Sequence, residues 1–310
     1  MFVSPAIAAV NIDFVSIGDA GNANDAATGN AYGGVAYDYQ ISKNETTISQ
    51  YAEFLNAAAQ TDSYGLYNSN MGTDGNVAGI TRSGVSGSYS YSVLTGAGNR
   101  PIAYVSWFDA ARYCNWLQNG QGSGSTETGA YTLAGAMSGV ILKNGGATYY
   151  IPTESEWYKA AYYDPNKGGA GVGGYWAQAT RSDTLAGNTI GVADSGNFND
   201  GDYAKDQNGL PSYLTDAGAY GVNSQSAYGT NDQAGNVYEW NDAVISGSLR
   251  GLRGGSCFSS SNFLPASGRG NSGPSREGAN VGFRVASVPE PTSHVLTMLA
   301  GGVMFARRKR

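Results

Sequence analysis

The chain has 310 residues, among them 46 glycines, nine prolines and 22 tyrosines; 41% of residues are apolar and only 14% charged. That length buries a sizeable core, and that composition excludes a disordered polymer. Because Arg307, Arg308, Lys309 and Arg310 supply four of the 18 basic groups, the body up to residue 306 carries 14 basic against 24 acidic residues, a balance that repels phosphate backbones and excludes nucleic acid as a natural partner.

The two cysteines, Cys114 and Cys257, make at most one bridge. The sole histidine, His294, lies near the C-terminus. A body without imidazole excludes most zinc and non-haem iron sites there, and removes the commonest general base near neutral pH. Hard cations bound by oxygen are the more natural inorganic partners.

In chain order, "MFVSPAIAAV" is apolar with small residues but lacks a basic start, and reads as the truncated end of an export signal. Residues 1–29 are assigned to this N-terminal segment. The first helix follows in "TTISQYAEFLNAAA", where Thr47 and Gln50 have capping-box spacing and Ile48, Tyr51 and Leu55 recur at helical intervals. The stretch "GSYSYSVLTGAGNRPIAYVSW" leads through a loop into a short strand. "SWFDAARYCNWLQNG" is the second helix, capped by Ser106 with Asp109 at the third position and stopped at Gly120. Its inward stripe is Trp107, Ala111, Cys114 and Leu117, which makes Cys114 a core thiol. "PTESEWYKAAYYDP" repeats the device with Thr153 and Glu156. Residues 164–235 are loop-like, and loops so long need clamping by ions or hydrogen bonds. No run alternates long enough for a large sheet, no repeat appears and no linker divides the body. The expected fold is one loop-rich α+β domain over residues 30–287.

The blocks "YQISKNETTISQYAEFLN", "RPIAYVSWFDAARYCNWL", "YIPTESEWYKAA", "DQAGNVYEWND" and "GLRGGSC" before "VGFRVA" resemble, in that order, the formylglycine-generating or sulfatase-modifying-factor family. The resemblance spans residues 39–286 and implies a C-type-lectin-like fold with little regular structure. It also implies a copper-dependent oxidase that uses two cysteines shortly after Gly-Gly-Ser, since a soft Cu(I) ion wants thiolates. Those cysteine positions fall on Ser259 and Leu264, and a histidine seen in some members falls on Ser260. Cys257 stands where an aromatic residue is usual. Copper is therefore not expected, and no residue is assigned a catalytic role. Ser256 and Trp240 match residues lining the family's peptide groove, so a cleft for a peptide or a carbohydrate is expected to survive. The partner of Cys114 in some members falls on Val285, which leaves a Cys114–Cys257 bridge open.

The resemblance further implies calcium. Gly235, Asn236, Val237 and Glu239 match one site, with backbone carbonyls, an amide and a carboxylate supplying hard oxygens. The alternative is that Asn236 caps a turn and Glu239 pairs with an arginine such as Arg253. Asn188 with Asp200 or Asp202 suggests a second site. Arg253, Arg269, Arg276 and Arg284 read as loop-fixing partners of carboxylates.

At the C-terminus, Val288-Pro289-Glu290-Pro291 precedes an uncharged, mostly apolar run from Thr292 to Ala306 and then a basic cluster. The run is shorter than the roughly 20 residues of a stable spanning helix. This order resembles the PEP-CTERM sorting signal, which implies processing of residues 288–310 by an exosortase-type enzyme and export to the cell surface. A simple C-terminal anchor is the alternative, with membrane contact through the tail alone, and it too leaves the body facing outward.

Overall fold

Each of the three expected helices begins at its expected cap. In the computed structural model, which describes residues 9–204 and 212–288, helix α1 spans Ile48–Ala58. Thr47 accepts from the Gln50 N–H, and the Gln50 side chain accepts from the Thr47 N–H. The four-residue turn α2 (Asn70–Thr73) was not anticipated. Helices α3 (Trp107–Gln118) and α4 (Glu154–Tyr162) carry the same reciprocal caps at Ser106/Asp109 and Thr153/Glu156. Such boxes satisfy orphan N–H groups from within a few residues, so they act before any tertiary contact exists.

Strands are short. They are β1 (Phe14–Ile17), β2 (Tyr39–Ser42), β3 (Ile80–Ser83), β4 (Ser90–Val93), β5 (Tyr149–Tyr150), β6 (Tyr163–Asp164), β7 (Gly174–Tyr175), β8 (Tyr238–Val244), β9 (Arg250–Arg253), β10 (Gly270–Ser272), β11 (Val281–Gly282) and β12 (Ala286–Ser287). One four-stranded sheet has the order β1-β2-β12-β5 and the other β10-β9-β8-β11; β3-β4 and β6-β7 are hairpins. Helix makes up 16% and strand 18% of this single loop-rich domain.

The fold reaches further toward the N-terminus than residue 30. β1 pairs antiparallel with β2, Ile17 opposite Tyr39, and Ile17 is fully buried. Four residues with one buried side chain carry too little periodicity to read as a strand from sequence alone.

Helix α3 also departs from the amphipathic expectation. Its stripe of Trp107, Ala111, Cys114 and Leu117 is buried, but so is every other residue from Trp107 to Leu117. Arg112 and Asn115 find partners, as most buried polar groups do, while Trp107 Nε1, Arg112 Nη1 and Tyr113 Oη have none among the described residues. Arg112 Nε donates to Glu127 at 2.7 Å, and Asn115 bonds the main chain of Thr126 and Tyr131. Around α3, Phe54, Tyr113 and Phe283 pack edge to face at centroid distances of 5.3–5.4 Å, geometry that adds about 0.5–1.5 kcal/mol per pair beyond area burial.

Between β7 and β8 the described residues are loop except for one short 3-10 turn, Val222–Ser224. Side-chain amides hold it. Asn188 Nδ2 donates to the carbonyls of Phe198 (2.9 Å) and Asp202 (2.7 Å), and Asn197 Nδ2 donates to the carbonyl of Tyr213 at 2.9 Å.

Candidate functional site

The segment that opens with Gly-Gly-Ser leaves β9 through two consecutive left-handed glycines, Gly254 (φ 93°) and Gly255 (φ 72°). A Cβ on Gly254 would meet the Trp157 ring at 3.3 Å, and one on Gly255 would meet Leu264 Cδ1 at 3.0 Å. Backbone conformation and space therefore both demand glycine. The chain then closes on itself. The Ser256 and Ser259 hydroxyls lie 3.1 Å apart, the Ser256 N–H donates to Ser259 Oγ at 3.1 Å, and the Ser259 N–H donates to the Ser256 carbonyl at 2.9 Å.

The two positions matching the family's cysteines have different fates. Ser259 is spent on this turn and is 8% exposed. Leu264 is fully buried in an apolar cluster with Trp157 and Tyr162, and its carbonyl accepts from Tyr162 Oη at 3.1 Å. Cys257, two residues before the first of them, packs with Val77, Ala103, Leu214 and Val237. Burial, with Glu45 as a lesser influence, pushes its thiol above the usual range. Burial does the same to Cys114. Both thiols are free, so the bridge left open by the sequence is not formed.

Trp240 and Ser256, expected along a groove, are fully buried instead. Trp240 Nε1 donates to the Val105 carbonyl at 3.0 Å. Half-buried aromatic rings pack beside the segment. Tyr203 and Tyr213 stack with centroids 4.0 Å apart, and Phe258 meets them at 5.9 and 5.7 Å. Sequence reasoning missed this trio because Phe258 comes from a different loop than Tyr203 and Tyr213; local spacing holds no trace of it.

Beneath the turn lies a buried polar layer. The Cys257 N–H donates to the Asn236 carbonyl at 2.9 Å. Asn236 is left-handed (φ 62°). Its Oδ1 accepts from Asn197 Nδ2 (2.9 Å) and the Thr215 N–H (3.2 Å), and its Nδ2 donates to Glu45 at 3.0 Å. Glu45 also accepts from the Val237 N–H at 3.1 Å. Glu239 takes Arg284 on both oxygens, at 2.5 and 2.7 Å, and its Oε2 accepts from Trp157 Nε1 at 2.7 Å. The partner of Glu239 is thus Arg284. Arg253 pairs with Glu154, which Arg269 also reaches. Burial, then the nearby Asp232 and Glu239, pushes the Glu45 carboxyl well above its ordinary range; burial lifts Asp232 to about 6.

The residues expected to hold calcium do not fit it as a set. A hard cation at Gly235, Asn236, Val237 and Glu239 needs the amide oxygen of Asn236 and the carboxylate of Glu239, and protein donors already use both. The buried acceptor left without a partner in this layer is Asn197 Oδ1, which the sequence did not single out. At the second expected site, Asn188 approaches Asp202 with its amide nitrogen, an arrangement that binds carbonyls. Asp200 joins it only through the main chain, its N–H donating to the Asp202 carbonyl at 3.3 Å. Among the described residues, no group of three or more His, Cys, Asp or Glu side chains is placed to hold a metal ion.

The sequence matches the sulfatase-modifying factor enzyme 1-like domain over residues 18–288. The chain belongs to this family. Among solved structures it is similar to CarF, with 20% identity, 90% of this chain and 99% of that chain covered and a TM-score of 0.50. It is also similar to Treponema denticola variable protein 1, with 19% identity, coverage of 92% and 98% and a TM-score of 0.52. PvdO from Pseudomonas aeruginosa is 20% identical over 82% of each chain, with a TM-score of 0.43. A comparison with curated proteins finds no match.

Proposed function

We propose that this family member is a binding module that does not carry a copper oxidase centre. The observation behind this reading is Leu264. The position that matches the second family cysteine holds a fully buried leucine among Trp157 and Tyr162, and the first holds a serine tied into a turn. A hydroxyl and an alkyl group offer nothing to soft Cu(I). Cys257 does not replace the pair, because a buried thiol held protonated is neither nucleophile nor ligand. The Tyr203, Tyr213 and Phe258 rings beside the turn supply apolar faces with polar edges, which suit a peptide or a carbohydrate. The fold is read as a C-type-lectin-like variant, in which loops carry the binding surface.

Export belongs to the same proposal. It rests on the order Val288-Pro289-Glu290-Pro291, apolar run and basic end; Pro289 onward lies outside the described residues. Among the described residues no helix is long and apolar enough to cross a membrane. Expression with an exosortase-type enzyme, followed by fractionation, tests this: loss of the tail and transfer to the surface fraction support it, and an intact cytoplasmic chain contradicts it.

The decisive experiment on chemistry supplies the protein with copper and a cysteine-containing sulfatase peptide. No aldehyde and no sulfur-held copper are expected. Aldehyde formation would show a divergent formylglycine-generating oxidoreductase and overturn the reading.

A further inference from the structure

Away from the Gly-Gly-Ser segment, β6 and the loops that follow β7 border a solvent-open cleft of about 360 Å³ lined by Asp164, Trp176, Thr180, Arg181, Asp194 and Asn223. Several of these side chains have hydrogen-bonding capacity that the fold leaves unused. Thr180 is 2% exposed and its hydroxyl has no partner. Asp194 and Asn223 touch through the main chain, the Asp194 N–H donating to the Asn223 carbonyl at 3.3 Å; among the described residues neither side chain has a partner. Arg181 spends one N–H on the Val222 carbonyl at 3.3 Å and makes no ion pair with Asp194 across the same cleft. Both residues are left-handed, at φ 58° and 56°, a conformation that costs a non-glycine residue energy and recurs at binding sites.

The unused groups define the ligand. Asp194 only accepts, Arg181 only donates, and Thr180 and Asn223 do both. Asp164 is already engaged by Trp176 Nε1 at 3.0 Å and the Asn166 N–H at 2.8 Å. A phosphate or carboxylate would suit Arg181 but face Asp194; a cation would meet the reverse. An apolar guest would leave every group unpaired, at a cost for each. A zwitterionic amino acid would use only the two charges. Vicinal hydroxyls, each donor and acceptor, match all four. Trp176, whose ring centroid lies 4.4 Å from Lys167 Nζ, also lines the cleft, and an indole is a residue type suited to the C–H face of a sugar ring. The volume is at the lower end of the roughly 300–1,000 Å³ of small-molecule sites.

We infer that this cleft binds one neutral pyranose unit of a glycan, with Asp194, Arg181, Asn223 and Thr180 reading its hydroxyls beside Trp176. The inference is independent of the copper positions, and aldehyde formation would leave it standing. Saturation-transfer NMR on the full chain tests it with methyl β-D-glucopyranoside, methyl β-D-galactopyranoside and methyl α-D-mannopyranoside, using glycine and inorganic phosphate as competitors. Transfer to at least one glycoside is expected, unaffected by either competitor. Asp194→Gly keeps the left-handed backbone while removing the carboxylate, and Asn223→Ala removes the amide. Each should weaken binding about tenfold with an unchanged melting midpoint. No transfer to any of the three glycosides, equal transfer with both variants, or displacement by glycine would overturn the proposal.

Discussion

Replacing Glu239 with glutamine separates two roles for this carboxylate, anchor of Arg284 or ligand of calcium. The side chain is fully buried and receives three N–H groups, two from Arg284 and one from Trp157. Glutamine keeps one oxygen but removes the charge and turns an N–H toward a donor. Breaking a buried pair by removing one partner costs about 3–5 kcal/mol. Arg284 retains the carbonyls of Ser42, Lys43 and Asn231 as acceptors, which places the expected loss near the lower bound, about 3 kcal/mol. For a domain of this size, roughly 2–4 °C per kcal/mol gives a fall in melting midpoint of about 6–12 °C. Circular-dichroism melts at pH 7, with chelator and with added calcium, measure it. The wild-type midpoint is expected to be the same in both buffers, and the Glu239→Gln loss equal in both. A fall below about 2 °C with chelator present, or a calcium-dependent gain in the wild type that the variant lacks, would refute the ion-pair account and restore calcium to Glu239.

Other outcomes follow from burial. Neither Cys114 nor Cys257 should react with a chromogenic disulfide reagent in the native state, while both should react in denaturant; rapid native labelling of one thiol would contradict the packing described. Burial lifts the carboxyls of Asp109 and Asp242 to about 7 and that of Asp232 to about 6. Between their ordinary values and these, the folded chain binds more protons than the unfolded one, so their contribution to stability falls as pH rises from about 4 to 7. Glu154, held low by its arginines against the pull of burial, acts oppositely and only at more acid pH. The melting midpoint should therefore be higher at pH 5 than at pH 8, and Asp109→Asn should shrink the difference; a midpoint rising steadily over that range would count against it. Ser106→Ala, which removes the acceptor for the Asp109 N–H at 3.1 Å, should cost about 1 kcal/mol in a urea titration, and no measurable loss would show that the cap adds nothing to α3.

What the sequence made legible was local. Thr47, Ser106 and Thr153 announce their helices because a capping side chain needs a partner only three residues away. The glycine pair before Ser256 is similarly readable, since it answers to its own φ angles. The pairing of charges was not. Glu239 finds Arg284 at a separation of 45 residues, and Glu154 finds Arg253 and Arg269 at 99 and 115. A sequence that supplies several arginines gives no rule for distributing them. The sheets escaped notice for a related reason: a two-residue strand such as β12 contains no period, and its identity depends on the neighbours it acquires. The identity of residues 259 and 264 was readable at once, whereas the filling of the space around Leu264 emerged only from the packing of α4.

The place of β12 in its sheet has a consequence for how the chain reaches this state. Ala286 lies opposite Ile41 on one side and Tyr150 on the other, so the join between the early and middle parts of the sheet is the latest in sequence of the described strands. Without β12, β2 and β5 have no bridge. Closing this sheet therefore depends on a pairing between residues far apart in sequence, whose loop-closure cost slows it relative to the locally capped helices.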